Sequence, residues 1–161
     1  VTANQAMNYL STGNPPGRTG NIHPNLAPYQ VFECSDGHII IATGNDGQYQ
    51  RLCDILGLGG LANAPEFATN ADRVQNREKL EVHLTIATKQ WTKTDLLDAC
   101  EAKGVPAGPI NNMQEVFDDP QVIHRGMQVE LEGVPSVRSP FKFSDADLVL
   151  KRPSPMLGQD N

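Results

Sequence analysis

An α+β fold, with small antiparallel sheet elements and three to four packed helices, is predicted by three observations. Two β-prone runs, residues 29–34 and 38–43, flank Ser35-Asp36-Gly37, whose Asp-Gly pair is a strong hairpin-turn signal. Helical periodicities with recognisable starts and stops occupy most of the middle of the chain. Near the carboxyl end Met127, Val129 and Leu131 alternate with Gln128, Glu130 and Glu132, which reads as a half-exposed strand with a partner around residues 137–143. The order is hairpin, helices, then two strands, without the βαβ alternation of a nucleotide-binding fold.

Each element has its own justification. Residues 3–10 can form a short helix that Gly13 and Pro15-Pro16 stop, and residues 1–16 are assigned as a linker. Residues 17–30 form a glycine-, asparagine- and proline-rich loop. Its glycines permit unusual backbone angles and close approach of a ligand, while Asn21, His23 and Asn25 offer hydrogen bonds without fixed charge. That composition suits either a small-molecule site or an ordinary loop before a hairpin. In the hairpin's second strand, Ile39-Ile40-Ile41 shows no alternation, which implies that both faces are covered.

Asn45 with Gln48 opens a helix carrying Leu52, Cys53 and Leu56 and ending at Gly57. Asn70 is the expected cap of a longer helix in which Leu80, Leu84, Ala87 and Trp91 form the core stripe, with His83 on its surface. Thr92 with Asp95 starts the next, ended by Gly104, and the prolines of residues 105–110 force an extended segment. Asn112 with Glu115 opens a short helix, and Asp119-Pro120 supplies N-cap and N1 of another ending near Gly126. The acidic pair Asp118-Asp119 is therefore a helix cap and not a catalytic dyad.

The 161 residues can bury roughly 70% of their unfolded surface, enough for a real core. A net charge of -6 with no Lys/Arg cluster argues against nucleic acid or a membrane surface as partner, and the longest apolar run is far too short to cross a membrane. A cytoplasmic location is the default. Cys34, Cys53 and Cys100 are odd in number and sit in apolar patterns, so they are expected to be buried free thiols; no zinc site is readable and none pairs with a histidine as a nucleophile would require. Gly57-Leu58-Gly59-Gly60 follows a helix and lacks a lysine, which makes it a helix exit and not a phosphate loop. The chain begins at Val1 without a methionine and ends in a loop-like segment, as a piece of a longer protein would.

Several motifs, in order, resemble one family. Gly20-Asn21-Ile22-His23-Pro24-Asn25-Leu26-Ala27-Pro28-Tyr29-Gln30-Val31-Phe32 is followed by Ser35-Asp36-Gly37 and by Ala42-Thr43-Gly44-Asn45-Asp46-Gly47-Gln48-Tyr49. Downstream come Asn76-Arg77, Gly104-Val105-Pro106-Ala107-Gly108-Pro109-Ile110-Asn111, Asp119-Pro120-Gln121-Val122, Pro140-Phe141-Lys142-Phe143 and Pro155-Met156-Leu157-Gly158-Gln159. Together they resemble class III CoA-transferases, the superfamily of formyl-CoA transferase, carnitine CoA-transferase and α-methylacyl-CoA racemase.

The resemblance implies that residues 17–145 form the small domain of such an enzyme and that residues 146–161 lead back to a large domain absent from this sequence. It implies a homodimer acting on an acyl-CoA thioester and a carboxylic acid, with coenzyme A thioester as substrate and no tightly bound cofactor. In the family a carboxylate attacks the thioester, and an acyl-aspartyl anhydride forms that must be shielded from water. The nucleophilic aspartate belongs to the large domain, so no catalytic residue is assigned here, and Asp36 and Asp46 are not candidates. Gly20, Asn21, His23, Pro24 and Asn25 are the expected substrate-binding residues, covering the acyl end, with His23 hydrogen bonding and not acting as a base. Formyl-CoA transferase has a run of glycines where this chain has Gly20-Asn21-Ile22-His23-Pro24, which leaves the acyl group open. Two alternatives stand: a racemase or epimerase segment of the same superfamily, and a stand-alone binding or interaction module without catalysis.

Overall fold

The computed structural model describes residues 3–159 and divides into two compact units, Val1–Ile110 and Asn111–Asn161. In the first, helix α1 (Ala3–Thr12) precedes the loop, which leads into strands β1 (Tyr29–Cys34) and β2 (Gly37–Ala42). The expected hairpin forms, but Ser35 and Asp36 alone make the turn, with Cys34 paired to Gly37. Gly37 opens β2 at φ +151, and the Asp36 carboxylate leaves the turn to accept a bond from the Lys93 N–H at 2.7 Å. The segment after Gly104 is indeed extended. It forms β3 (Ala107–Ile110), antiparallel to β2, which gives a sheet of order β1-β2-β3 with Pro109 on an edge strand where its missing N–H costs nothing.

Ile39 and Ile41 are fully buried while Ile40 between them is only half-buried, so β2 is thickly covered on one face and not on both. An unbroken apolar run concealed an ordinary alternation, because Ile40 lies against Gly108 across the strand pair and stays only half-buried. The covered face receives α2 (Asp46–Ile55), α5 (Arg77–Thr88) and α6 (Lys93–Ala102), which contribute Leu52 and Cys53, Leu80 and Leu84, and Leu96 and Cys100 to one cluster with Phe32, Ile39 and Ile41. All three cysteines are buried free thiols. Burial pushes the Cys34 and Cys53 thiols up from their ordinary value and the Cys100 thiol up to about 11.

Two helix starts differ from expectation. Asn45 caps α2 by accepting from the Gln48 N–H, yet the Gln48 side chain accepts from the Gly44 N–H, one residue before the cap. Thr69, not Asn70, caps α4 (Asn70–Gln75), in a reciprocal box with Asp72. The long helix expected after residue 70 is interrupted at Asn76, whose φ of -102 and ψ of 24 separate α4 from α5. Short α3 (Gly59–Ala62) and a 3-10 turn (Pro65–Phe67) fill the connection before it, and Gly57 leaves α2 at φ +70 as a helix exit.

The second unit begins with α7 (Met113–Asp118), held by a complete Asn112–Glu115 capping box, and α8 (Pro120–His124), whose first N–H groups bond the Asp119 carboxylate. Strands β4 (Gln128–Leu131) and β5 (Val134–Val137) then form a hairpin. The partner strand lies earlier than residues 137–143 because Glu132 and Gly133, at φ 51 and 80, make a two-residue turn matched to the twist of the strands.

Candidate functional site

The loop of residues 17–28 runs beside the free edge of β1. Asn21 accepts from the Val31 N–H through Oδ1 at 3.0 Å, and the His23 N–H donates to the Tyr29 carbonyl at 3.0 Å, so two of the outward-facing groups of the strand are satisfied by the loop. The His23 ring stacks on Tyr29 with centroids 5.0 Å apart and planes 20° from parallel.

Both ring nitrogens of His23 are engaged. Nδ1 accepts from the Asn25 N–H at 3.1 Å. The Asn4 side-chain amide nitrogen lies 3.0 Å from Nε2. One turn along α1, Asn8 and Asn25 exchange two amide hydrogen bonds of 2.8 and 3.0 Å. With contacts at both nitrogens, the ring is built into the loop as a hydrogen-bonding group.

The other side of the loop is gripped by α4 and α5. Four successive carbonyls each accept from one of their side chains: Pro24 and Leu26 from Arg77 Nη2 at 3.4 and 3.2 Å, Asn25 from Asn70 Nδ2 at 2.8 Å, and Ala27 from Arg73 Nε at 2.7 Å. Asn70 also accepts from the Ala27 N–H at 3.2 Å. It is free to do so because Thr69 has taken over the capping role. The Ala27–Pro28 peptide is cis, and the Pro28 carbonyl accepts from both the N–H and the hydroxyl of Thr43.

Arg73 is 1% exposed, and each of its guanidinium nitrogens has a hydrogen-bond partner. Beyond Ala27 it donates to the Phe67 and Ala68 carbonyls and to the Asp46 carboxylate at 2.8 Å, and its guanidinium stacks over Tyr49 at 4.4 Å. Tyr49 is buried beneath it, which pushes its phenol well above the usual range. Arg77 is less completely served: its Nη1 is buried with no hydrogen-bond partner among the described residues, and burial pulls its guanidinium below the ordinary value.

Gly20 is at the outer bend, at φ +60, and a Cβ there would meet nothing within 4 Å. The structure thus brings Asn21, His23, Pro24 and Asn25 together as a braced loop, with the surface at Gly20 open. Asp36 and Asp46 are committed to Lys93 and Arg73. Sequence reasoning missed Arg73 and the roles of Asn70 and Arg77. The signal available was their spacing of three and four, which puts polar side chains on one helical face that the apolar stripe leaves unused. Among the described residues no cluster of three metal-ligating side chains exists, and no helix is long and apolar enough to cross a membrane.

The family profile described as CoA-transferase family III matches residues 1–161. The chain belongs to this family. It is 49% identical over 99% of its length to the succinate–glutarate CoA-transferase of Agrobacterium fabrum, covering 41% of that protein. It is 39% identical to the human succinyl-CoA:glutarate CoA-transferase, covering 96% of this chain and 36% of that protein. A crystal structure of a CaiB/BaiF family protein from Brucella suis superposes with a TM-score of 0.86 at 54% identity, over 99% of this chain and 42% of the other. This family III chain therefore spans about two fifths of the length of the relatives it matches, and its α+β architecture of small antiparallel sheets and several helices is that of CaiB/BaiF proteins.

Proposed function

We propose that the chain is the small-domain part of a CoA-transferase that moves CoA between an acyl-CoA thioester and a dicarboxylic acid of the succinate–glutarate type, with residues 17–28 covering the acyl end of the site. The observation that carries the substrate class is the 49% identity to a succinate–glutarate CoA-transferase across nearly the whole chain. The loop geometry supports its role as a cover. A backbone braced from both sides, with Gly20 unobstructed, can approach a ligand closely without rearranging, and from Gly20 to Pro28 its side chains add no fixed charge that would draw water in.

The nucleophilic carboxylate lies outside these residues in this reading, consistent with Asp36 and Asp46 both being occupied structurally. Coenzyme A enters as substrate and not as a resident cofactor, and the complete protein works as a cytoplasmic homodimer. The test is transfer from succinyl-CoA to glutarate by the full-length protein. Gly20→Trp is expected to lower kcat/KM on the order of 10²-fold by intruding on the acyl end, whereas Gly20→Asn, which tolerates the left-handed backbone, is expected to retain most activity. Wild-type kinetics in Gly20→Trp would remove the loop from the site. Failure of glutarate and succinate as acceptors, with another acid class accepted, would overturn the substrate assignment.

A further inference from the structure

Resting on the reading of residues 17–28 as a site cover, we propose that Asn70, Arg73 and Arg77 are positioning residues that clamp this loop and thereby set how the bound acyl group is divided between acceptor acid and water. The inference comes from an imbalance in what these side chains do. Stability of a helix pair against a sheet is supplied by apolar contacts, and Leu80 and Leu84 of α5 supply them. A buried cation is a poor stabiliser, since a well-packed apolar residue of similar volume usually serves as well or better.

Arg77 nevertheless places a guanidinium among the loop carbonyls, donates there to Pro24 and Leu26, and leaves Nη1 without a partner. Asn70 gives up the expected capping position and spends both halves of its amide on Asn25 and Ala27. Together with Arg73, they bind every carbonyl from Pro24 through Ala27. Four consecutive carbonyls facing one helical stripe fix the path of the backbone at each residue. The opposite brace, from Asn4 and Asn8 of the exposed helix α1, consists of solvent-accessible amide bonds and is the weaker of the two.

The consequence is chemical. In transfer, RCO–SCoA and R′COO⁻ give RCOO⁻ and R′CO–SCoA, and the number of thioesters is conserved. In the leak, water oxygen ends on the acyl carbon, the carbon–sulfur bond is lost, and RCO–SCoA with H2O gives RCOO⁻, HSCoA and one proton. Free thiol therefore counts the leak directly. A loop whose backbone path is released at Asn25 or Leu26 admits water while still allowing acid to enter.

The experiment uses the full-length protein with succinyl-CoA and glutarate, recording free thiol and glutaryl-CoA in the same reaction. Asn70→Asp keeps shape and the acceptor for Ala27 N–H but cannot donate to the Asn25 carbonyl, and Arg77→Lys keeps charge but loses the forked grip. Each is expected to raise the ratio of hydrolysis to transfer by about tenfold, with melting temperature measured alongside. Leu84→Ala, which weakens the same helix through its core face, is expected to lower the melting temperature without changing that ratio. An equal rise in Leu84→Ala would overturn the clamp by making the leak a matter of stability. Unchanged ratios in Asn70→Asp and Arg77→Lys, with a raised ratio in Gly20→Trp, would overturn the clamp and leave the cover reading intact. Unchanged ratios in all of them would remove both.

Discussion

The chain contains two hairpins built by the same local rules and maintained in different ways. Between β1 and β2 the turn at Ser35-Asp36 is unremarkable in its backbone, and the strands bury Phe32, Ile39 and Ile41 almost completely. Between β4 and β5 the turn at Glu132-Gly133 has the ideal left-handed pair of residues, yet no residue of either strand is fully buried. The first hairpin is held by what packs on it and the second by its own turn. A short β-ribbon without a covered face is marginal, so the burden on its turn is high.

Trp91, the single tryptophan, packs against the core of the first unit and makes the contrast measurable. Ile41→Ala is expected to have the largest effect, lowering unfolding stability by about 3 to 4 kcal/mol in denaturant titrations followed by Trp91 fluorescence. A loss under about 1 kcal/mol would mean that β2 is less integral to that core than its burial implies.

Alkaline pH should sharpen the contrast from the opposite direction, because all three cysteines belong to the first unit. An unfolded Cys100 gives up its proton near 9, whereas the folded one holds it to about 11. The unfolded state is thus favoured progressively as pH rises from about 9 to about 11, by up to one proton for this site, and nothing is lost below that window. Cys34 and Cys53 are raised by burial as well and add to the same trend. The stability slope in that window, read from Trp91, should be shallower in Cys100→Ala. An identical slope in the variant would show that Cys100 does not titrate with unfolding.

The smallest effect is expected from Gly133→Ala. Placing a Cβ at φ 80 should weaken the second hairpin by about 1 kcal/mol, seen as faster amide exchange in residues 128–137 while the Trp91 transition stays where it was. A shift of the Trp91 midpoint by as much as Ile41→Ala produces would erase the distinction between the hairpins.

Sequence reading succeeded where the signal was local and failed where the deciding partner was distant. Asp119-Pro120 and Asn112 with Glu115 specify their helix starts completely, because every atom of the cap lies within four residues. Asn70 was misassigned as a cap because Thr69 and Asn70 are both good caps, and only Asn25 and Ala27, more than forty residues earlier, decide between them. Arg73 looks like any surface arginine of a helix until Asp46, Tyr49 and Ala27 are placed around it. In the same way, Ile39-Ile40-Ile41 does not announce which residue is left half-covered, since that depends on where helices pack and not on the strand. The loop itself was legible in composition, and the family in ordered motifs. Its bracing was not, because the spacing of Asn70, Arg73 and Arg77 marks a polar helical face without saying which remote carbonyls it meets.

The placement of Asn21 and His23 along β1 has one more consequence. Tyr29–Cys34 is an edge strand carrying Tyr29, Val31 and Phe32, and an edge strand recruits a strand from another molecule when its amide and carbonyl groups are left open. By taking the Val31 N–H and the Tyr29 carbonyl, the loop covers the first part of that edge. Under the proposed reading of this loop as an acyl-site cover, a change of acyl preference is restricted by solubility as well: a sequence that fits a different acid but lets go of β1 exposes that edge to aggregation.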